Sequence, residues 1–585
     1  MPFQVSPGVV VTERDLTTVV PNVSTSIGAF AGAFQWGPVL QRVRIETENE
    51  LVQTFGEPTA DTAEYFWSAA NYLAYSNNLL VVRNTEANAI NAVVGDDNAG
   101  TAKKIDNIDD YDGTSDFTDQ LFIAKYPGAR GSSLKAIAVD SAGWASFSGL
   151  ANSARTPDQK LLFANFDRAP GTSTDVAASG GSNDEMHVLV IDENGLFSGV
   201  AGEILEAHAF VSKASDAKKI DGSSNYVKNV LKNESRYIWL GEVLKITEST
   251  TDSGSEVDAG SLKAGNTFKL INAASDADKI IGGSLAGGSD GTYPLTPAKE
   301  QIAYNMFADA ETVDISLLIG GPALQATAQH LVNLAEARKD CIAFVSPTKA
   351  SVVNAAVDSQ TASIVSQKNA IGSSSYGVMD NAWKYQYDRY RDVFINVPMN
   401  GDIAGLCART DFTNDAWFSP AGLNRGVIKN IVRPSWDASQ GDRDELYKGG
   451  INPITTQLGA GNILFGDKTM LAVPSAFDRI NVRRLFIVLE KAIAIAAKAM
   501  LFEFNDEFTR SQFVNIVTPF LREVQGRRGL TDFKVVCDSS NNTGQVIDTN
   551  NFVGDIYIKP NRSINFIQLN FIAARSDVSF SEIGG

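Results

Sequence analysis

The chain has 585 residues, with 50 Lys and Arg against 68 Asp and Glu, for a formal net charge of −18. At roughly 150 residues per domain this length predicts about four domains, and a pI near 4.8 argues against general binding to the phosphate backbone of nucleic acid, which such a chain repels. The 3 cysteines (Cys341, Cys407 and Cys537) form no CxxC, which excludes a disulfide scaffold or cysteine zinc site and fits a reducing compartment, and the 3 histidines (His187, His208 and His330) leave little material for metal or acid–base chemistry.

The start, MPFQVSPGVVV, lacks a basic region followed by an apolar stretch, so no signal peptide is expected. Ser6–Asp15 places a β-branched run directly after Pro7 and Gly8. A terminal strand without a hairpin partner pairs either with a distant strand of its own chain or with the sheet edge of another subunit. Asn77–Asn84 (NNLLVVRN) is an apolar run closed by turn residues, as a buried strand requires.

Residues 91–300 hold 19 Lys and Arg against 30 Asp and Glu, for −11, whereas residues 461–585 hold 14 and 13, for +1. The acidic stretch is rich in Gly, Ser, Ala and Asp, and reads as one or two solvent-facing β-rich domains inserted into a more apolar framework. His187–Asp192 and Ser235–Leu240 are its strand candidates. ASDAKKIDGSS from Ala214 echoes ASDADKIIGGS from Ala274, too short a likeness to establish a repeat. Asp110, Asp112 and Gly113 suggest a calcium loop, but Ile108 occupies the first ligand position and Asp119 replaces the terminal Glu. Gly287, Ser289 and Gly291 fit the G-x-S-x-G pattern of a hydrolase elbow. Their flanks are Gly-rich turn sequence and the only later histidine is His330, so a structural loop is expected and a serine hydrolase using Ser289 is kept as a rival.

Asp314–Gly321 and Asp340–Pro347 are further buried-strand candidates, and the helical stretch between them predicts a strand–helix–strand crossover. Gly461 and Gly466 nearly spell a phosphate loop, but Asp467 displaces the lysine and sets an anion where amides should cradle phosphate, so a turn between two strands is expected. Leu485–Phe504 is the most apolar segment, and Glu490, Lys491, Lys498 and Glu503 mark it as a soluble helix packed in a core rather than a membrane span. Thr509 and Gln512 form a capping box, followed by Phe513, Ile516, Val517, Phe520, Leu521 and Val524 at helical spacing, with Pro519 expected to kink or divide the helix. Arg527 and Arg528 either complement the dipole at its C-terminus or face an acidic partner. DFKVVCD, GDIYIKP and RSINFIQLNFIAA predict three closing strands, the last buried on both faces.

These residues, taken in order, resemble the contractile tail sheath proteins of bacteriophages, those of T4-like myoviruses above all. SPGVVVTERD is similar to the family's N-terminal start, and LAGGSDG to the turn closing its variable insertion. Ile403–Asp411 with Trp417–Gly422 resembles its Ala-Gly-x-x-Ala-Arg-x-Asp signature and the Ala-Pro-Ala that follows, with Ser419 in place of an alanine. GINPI and ILFGDKT resemble its Asn-Pro and Trp-Gly-x-x-Thr elements, with Phe465 for the Trp, and INVRRLFIVLEKAI and FEFNDEFTRSQF its C-terminal helices. The region near 95–285 shows no such match.

The resemblance implies an α/β and α+β multidomain chain: an inner α+β domain formed by both chain ends (1–20 as an arm, 456–585), a middle α/β domain (21–94 and 296–455), and outer β-rich insertion domains (95–180 and 181–295). It implies a non-enzymatic subunit, without cofactor or metal, polymerising helically around a tail tube and contracting to drive that tube through the host envelope. Its partners would be further copies of itself, the tube protein, and baseplate and tail terminator proteins, with no direct nucleic-acid contact and no membrane insertion. Its place would be the virion tail, after assembly in the bacterial cytoplasm; a phage-derived contractile injection system is the alternative setting. By the same resemblance Val9, Val10, Val11, Thr12 and Glu13 would form the inter-subunit strand, and Gln512, Asn515, Arg522, Arg527 and Arg528 would face the tube. Gly405, Arg409, Asp411, Pro420, Asn452, Pro453, Gly466, Thr469, Arg483 and Arg484 would be structural positions of the family signature.

Overall fold

The computed structural model describes residues 24–95, 102–114, 117, 120–241, 256–257, 260–268, 280–565 and 568. The arm Ser6–Asp15, most of the last predicted strand and most of the second copy of the echo lie outside them. The described residues form two compact units, one of Ser24–Arg409 with Ala421–Ala472, the other of Thr410–Pro420 with the described part of Val473–Gly585.

The larger unit is organised by a seven-stranded sheet in the order Ile451–Asn452, Gly377–Asp380, Ile342–Val345, Leu317–Ile319, Gly28–Gly32, Leu79–Arg83, Arg42–Ile45. All neighbours are parallel except the edge strand Arg42–Ile45. Strands such as Gly28–Gly32 and Ile342–Val345 are buried at every position, as a parallel sheet covered on both faces demands. The expected crossover is present: Leu317–Ile319 leads through helix Gln325–Arg338 to the parallel strand Ile342–Val345.

An insertion leaves after Leu79–Arg83 and returns before Leu317–Ile319. Its outgoing and returning segments zip together, with Ile90 and Ser289 exchanging both main-chain bonds at 3.0 Å and Asn88 Nδ2 donating to Thr292 Oγ1 at 2.9 Å. Arg83, fully buried, donates to the carbonyls of Phe34 and Gly37 on the framework side and of Pro127 in the insertion. Within the insertion, Ile280–Ser284, Leu134–Asp140, Glu185–Asp192 and Glu203–Ser212 form an antiparallel sheet. Alternation sends Ala136, Ala138, Val188 and Val190 to one core and Ile137, Val139, Leu189 and Ile191 to another, closed by Trp144, Phe147 and Phe166. Val93–Val94, Phe122–Ala124 and Ile238–Leu240 make a second antiparallel sheet.

The rejected motifs resolve into ordinary structure. Asp110 and Asp112 lie in a short helix, Ile108–Gly113, capped by Asn107. Ser289 sits in the antiparallel bridge with Ile90, and its Oγ accepts from the Gly291 amide at 3.2 Å, so the strand–turn–helix of a nucleophile elbow does not form there. Gly461 begins a strand, Gly461–Leu464, paired with Ile454–Gln457; the turn precedes it rather than spanning Gly461–Gly466.

In the smaller unit helices Ile480–Lys498 and Glu507–Gly526 pack with an antiparallel pair, Leu530–Val536 and Asp555–Pro560. Three expectations change here. The helix cap is Asp506, whose side chain accepts from the Thr509 amide at 2.8 Å, so Thr509 opens nothing and is buried in the first turn. Pro519 does not divide the helix: it lies on the exposed side of one continuous element, Glu507–Gly526. The apolar segment does not remain helical to Phe504: the helix stops at Lys498, Phe502 adopts φ 71, and Leu501, Phe502 and Phe504 are exposed rather than packed in the core.

Candidate assembly surfaces

Helix Glu507–Gly526 has two sharply different sides. Phe513, Val517, Leu521 and Val524 are buried with Leu485, Leu489 and Leu530, while Gln512, Asn515, Pro519 and Arg522 are exposed. Three of the five residues expected to face a tube thus share one solvent stripe. Arg527 is engaged within its own unit: it pairs with Asp415, lies 3.7 Å from Glu523 and 5.5 Å from the Trp417 ring, and its carbonyl accepts from Trp417 Nε1 at 3.1 Å. Arg528 is exposed at φ 67, and its carbonyl accepts from Asn561 at 2.8 Å.

The signature residues separate by unit. Arg484 donates to Asp411 at 2.5 Å with both side chains nearly buried, and Arg483 lies 3.6 Å from Glu490 and 4.4 Å from the Phe477 ring centroid; Pro420 is buried in the same unit. In the larger unit, a Cβ on Gly405 would stand 2.5 Å from the Tyr75 ring, so glycine lets helix Asn400–Thr413 approach that side chain. Arg409, half-buried, is close enough to Tyr75 and Lys429 to perturb both electrostatically. Asn452 explains why the Asn-Pro and Gly-x-x-Thr elements occur together: its Nδ2 donates to the Lys468 carbonyl at 2.8 Å and its Oδ1 accepts from the Lys468 amide at 2.7 Å. Gly466 lets Pro453 approach, because a Cβ there would meet its Cδ at 3.0 Å, and Thr469 is fully buried beside them.

Sequence reasoning missed three features. The first is the exposed cluster Leu501, Phe502, Phe504 and Phe508 at the turn between the two long helices, signalled only by aromatics crowded among acids. The second is that the pair Leu530–Val536 and Asp555–Pro560 has both outer edges unpaired among the described residues. The third is a buried ionic network beneath the sheet Val393–Pro398, Trp383–Asp388, Arg433–Pro434. There Lys384 Nζ meets Asp402 Oδ1 at 2.9 Å, and Tyr75 donates to the same oxygen at 3.1 Å. Burial lowers Lys384 and raises Asp402, each opposed by the other. Burial, opposed by bonds from Ser346 and the Ala382 amide, pushes Asp380 up to about 8.

Comparison with known proteins identifies the family. Residues 301–470 match the phage tail sheath protein central domain, residues 472–574 the phage tail sheath C-terminal domain, and residues 25–83 the tail sheath protein Gp18 domain III N-terminal region. The chain is 34% identical to the tail sheath protein of Enterobacteria phage T4 and 33% identical to that of Vibrio phage KVP40, over 99% of each protein in both cases. The chain belongs to the phage tail sheath family. A sheath tail protein from Listeria innocua shares the fold at a TM-score of 0.51 and 12% identity, over 92% of this chain and 96% of that one. As a tail sheath it is a structural protein of a contractile phage tail. Among the described residues no cluster of His, Cys, Asp or Glu is arranged to hold a metal ion, and no helix is long and apolar enough to cross a membrane. The sheath's three cysteines are all buried, and none forms a disulfide among the described residues.

Proposed function

We propose that this sheath subunit polymerises head to tail into an open helix around a tail tube and contracts by rigid-body rotation of subunits. Heterologous contacts whose rotation does not close give such open polymers, and two discrete packings of rigid units give a switch without nucleotide. The observation that carries the reading is the two-stranded sheet Leu530–Val536 with Asp555–Pro560. The pair packs on the helices with one face, and its edges, unpaired among the described residues, suit strands donated by other subunits, for which Val9–Glu13 has the right composition. The exposed stripe of Gln512, Asn515 and Arg522 is then available to the tube, and the apolar turn at Phe502 and Phe504 to a contact that removes it from water. Baseplate and terminator proteins would bound the polymer, which assembles in the host cytoplasm before joining the virion.

Negative-stain microscopy of the purified chain tests this directly. Long hollow tubes are expected, and deletion of residues 1–15 should leave folded monomers. A persistent wild-type monomer would sink the polymer reading, and unchanged tubes after the deletion would sink the donated strand.

A further inference from the structure

An antiparallel sheet with one face on a core normally turns apolar residues inward and polar ones outward. The three-stranded sheet of Trp383–Asp388, Val393–Pro398 and Arg433–Pro434 does the reverse over much of its area. Its inner face carries Lys384, Gln386 and Asp388, all buried, with Gln386 accepting from Asn71 at 2.9 Å. Its outer face carries Tyr385, Tyr387 and Phe394 as a ladder of rings, Phe394 lying 5.3 Å from Tyr385 and 5.4 Å from Tyr387 between centroids. Tyr387 is 46% and Phe394 51% exposed. Beside them the Arg433 guanidinium lies 4.8 Å from the Tyr385 ring centroid and, among the described residues, has no carboxylate partner. The face is therefore aromatic, with the Arg433 guanidinium at the Tyr385 end and the Asp392 carboxylate, which accepts from the Tyr387 hydroxyl at 2.6 Å, at the other.

The insertion presents the complement. The turn joining Glu185–Asp192 to Glu203–Ser212 exposes Leu196 (53%) and Val200 (59%) between Glu193 and Glu203, with no lysine or arginine from 192 to 203. It is a built surface: buried Asp192 accepts from the amides of Leu196 at 3.1 Å and of Phe197 and Ser198 at 2.8 Å, and Arg130 donates to the Leu196 carbonyl at 2.7 Å. Two apolar side chains are thus held outward in a fixed turn with an acidic rim.

We propose that the Leu196–Val200 turn of one copy docks on the Tyr385–Phe394 sheet face of a second copy, with Glu193 and Glu203 toward Arg433. Apolar meets apolar and acid meets base, and the two patches are different surfaces of one chain, so the contact is heterologous and propagates. The inference rests on the polymer reading above and names the surfaces through which part of that polymer forms.

The test uses the full chain under conditions where the wild type forms tubes. Phe394→Glu and Leu196→Asp, both at exposed positions, should keep the wild-type circular dichroism spectrum and unfolding midpoint while losing tube formation. A Phe394→Glu chain still offers its own turn, so added at a tenth of the wild-type concentration it should cap growing ends and shorten tubes several-fold. Arg433→Glu should weaken assembly, and Glu203→Arg in the same chain should restore it. Tubes of wild-type length from both single variants would overturn the proposal, as would assembly intact but binding of a tube protein lost, which would make the tube the occupant. Failure of the wild type to polymerise would instead overturn the polymer reading.

Discussion

Lys384, on the inner face of a three-stranded sheet, holds Asp402 of the following helix at 2.9 Å, with the two side chains 0% and 1% exposed. Each charge is kept in the interior by the other, and Tyr75 and the Lys429 carbonyl satisfy further positions of the pair. Asp402→Ala should cost about 3–5 kcal/mol by leaving a buried ammonium unpaired, whereas the double change Lys384→Met with Asp402→Leu should cost far less. Urea unfolding of the single and double variants measures the difference, and equal losses would show that the charges are not coupled.

Asp380 predicts a pH dependence of opposite sign to that of a salt-bridged carboxylate. Burial pushes it up to about 8 from an ordinary value of 3.8, so between these limits the folded chain binds more protons than the unfolded one. Its contribution is fully present below the unfolded value and is lost as pH rises through the folded one. The unfolding midpoint should fall between pH 5 and 8, and Asp380→Asn should flatten that fall. Parallel curves for the two proteins would refute the assignment.

The glycine at 405 makes a steric prediction. A Cβ 2.5 Å from the Tyr75 ring forces helix and ring apart, so Gly405→Ala should destabilise by about 1–3 kcal/mol. Gly405→Ala combined with Tyr75→Ala should remove that clash, and a thermal-melt comparison of the two variants reads it.

Pro519 tests why a helix tolerates proline. Its position on the exposed side lets water take the carbonyl that proline leaves free. Pro519→Ala should therefore raise stability, by up to about 3 kcal/mol, without altering helix content by circular dichroism. A loss of stability would mean that the ring is itself packed.

The framework was legible where burial is simple. Leu79–Arg83, Leu317–Ile319 and Ile342–Val345 are unbroken apolar runs between turn residues, and such runs have few other ways to be satisfied. The smaller unit was legible in its periodicity but not in its ends. Thr509 matched a capping pattern, yet Asp506, three residues earlier, has the stronger side-chain acceptor and takes the amide. The apolar run to Phe504 looked buried because composition does not reveal where a helix stops, and the left-handed turn at Phe502 turns those side chains outward. The network at Lys384 was invisible for a related reason: alternation in WKYQYD is regular, but nothing local says that its polar phase faces inward.

The zipped segments at Ile90 and Ser289 bring the insertion's two ends to one place on the framework. The ends meet there, so the insertion can vary in length while the seven-stranded sheet keeps its registers, provided that it keeps its other framework contacts, the Val39 amide to the Asp106 carbonyl and the Trp36 ring against Tyr126 and Phe197. The family's domain matches respect that seam, breaking off at residue 83 and resuming at 301. A foreign domain with closely spaced termini, spliced in across the same two strands, would meet the same geometric requirement as the native one.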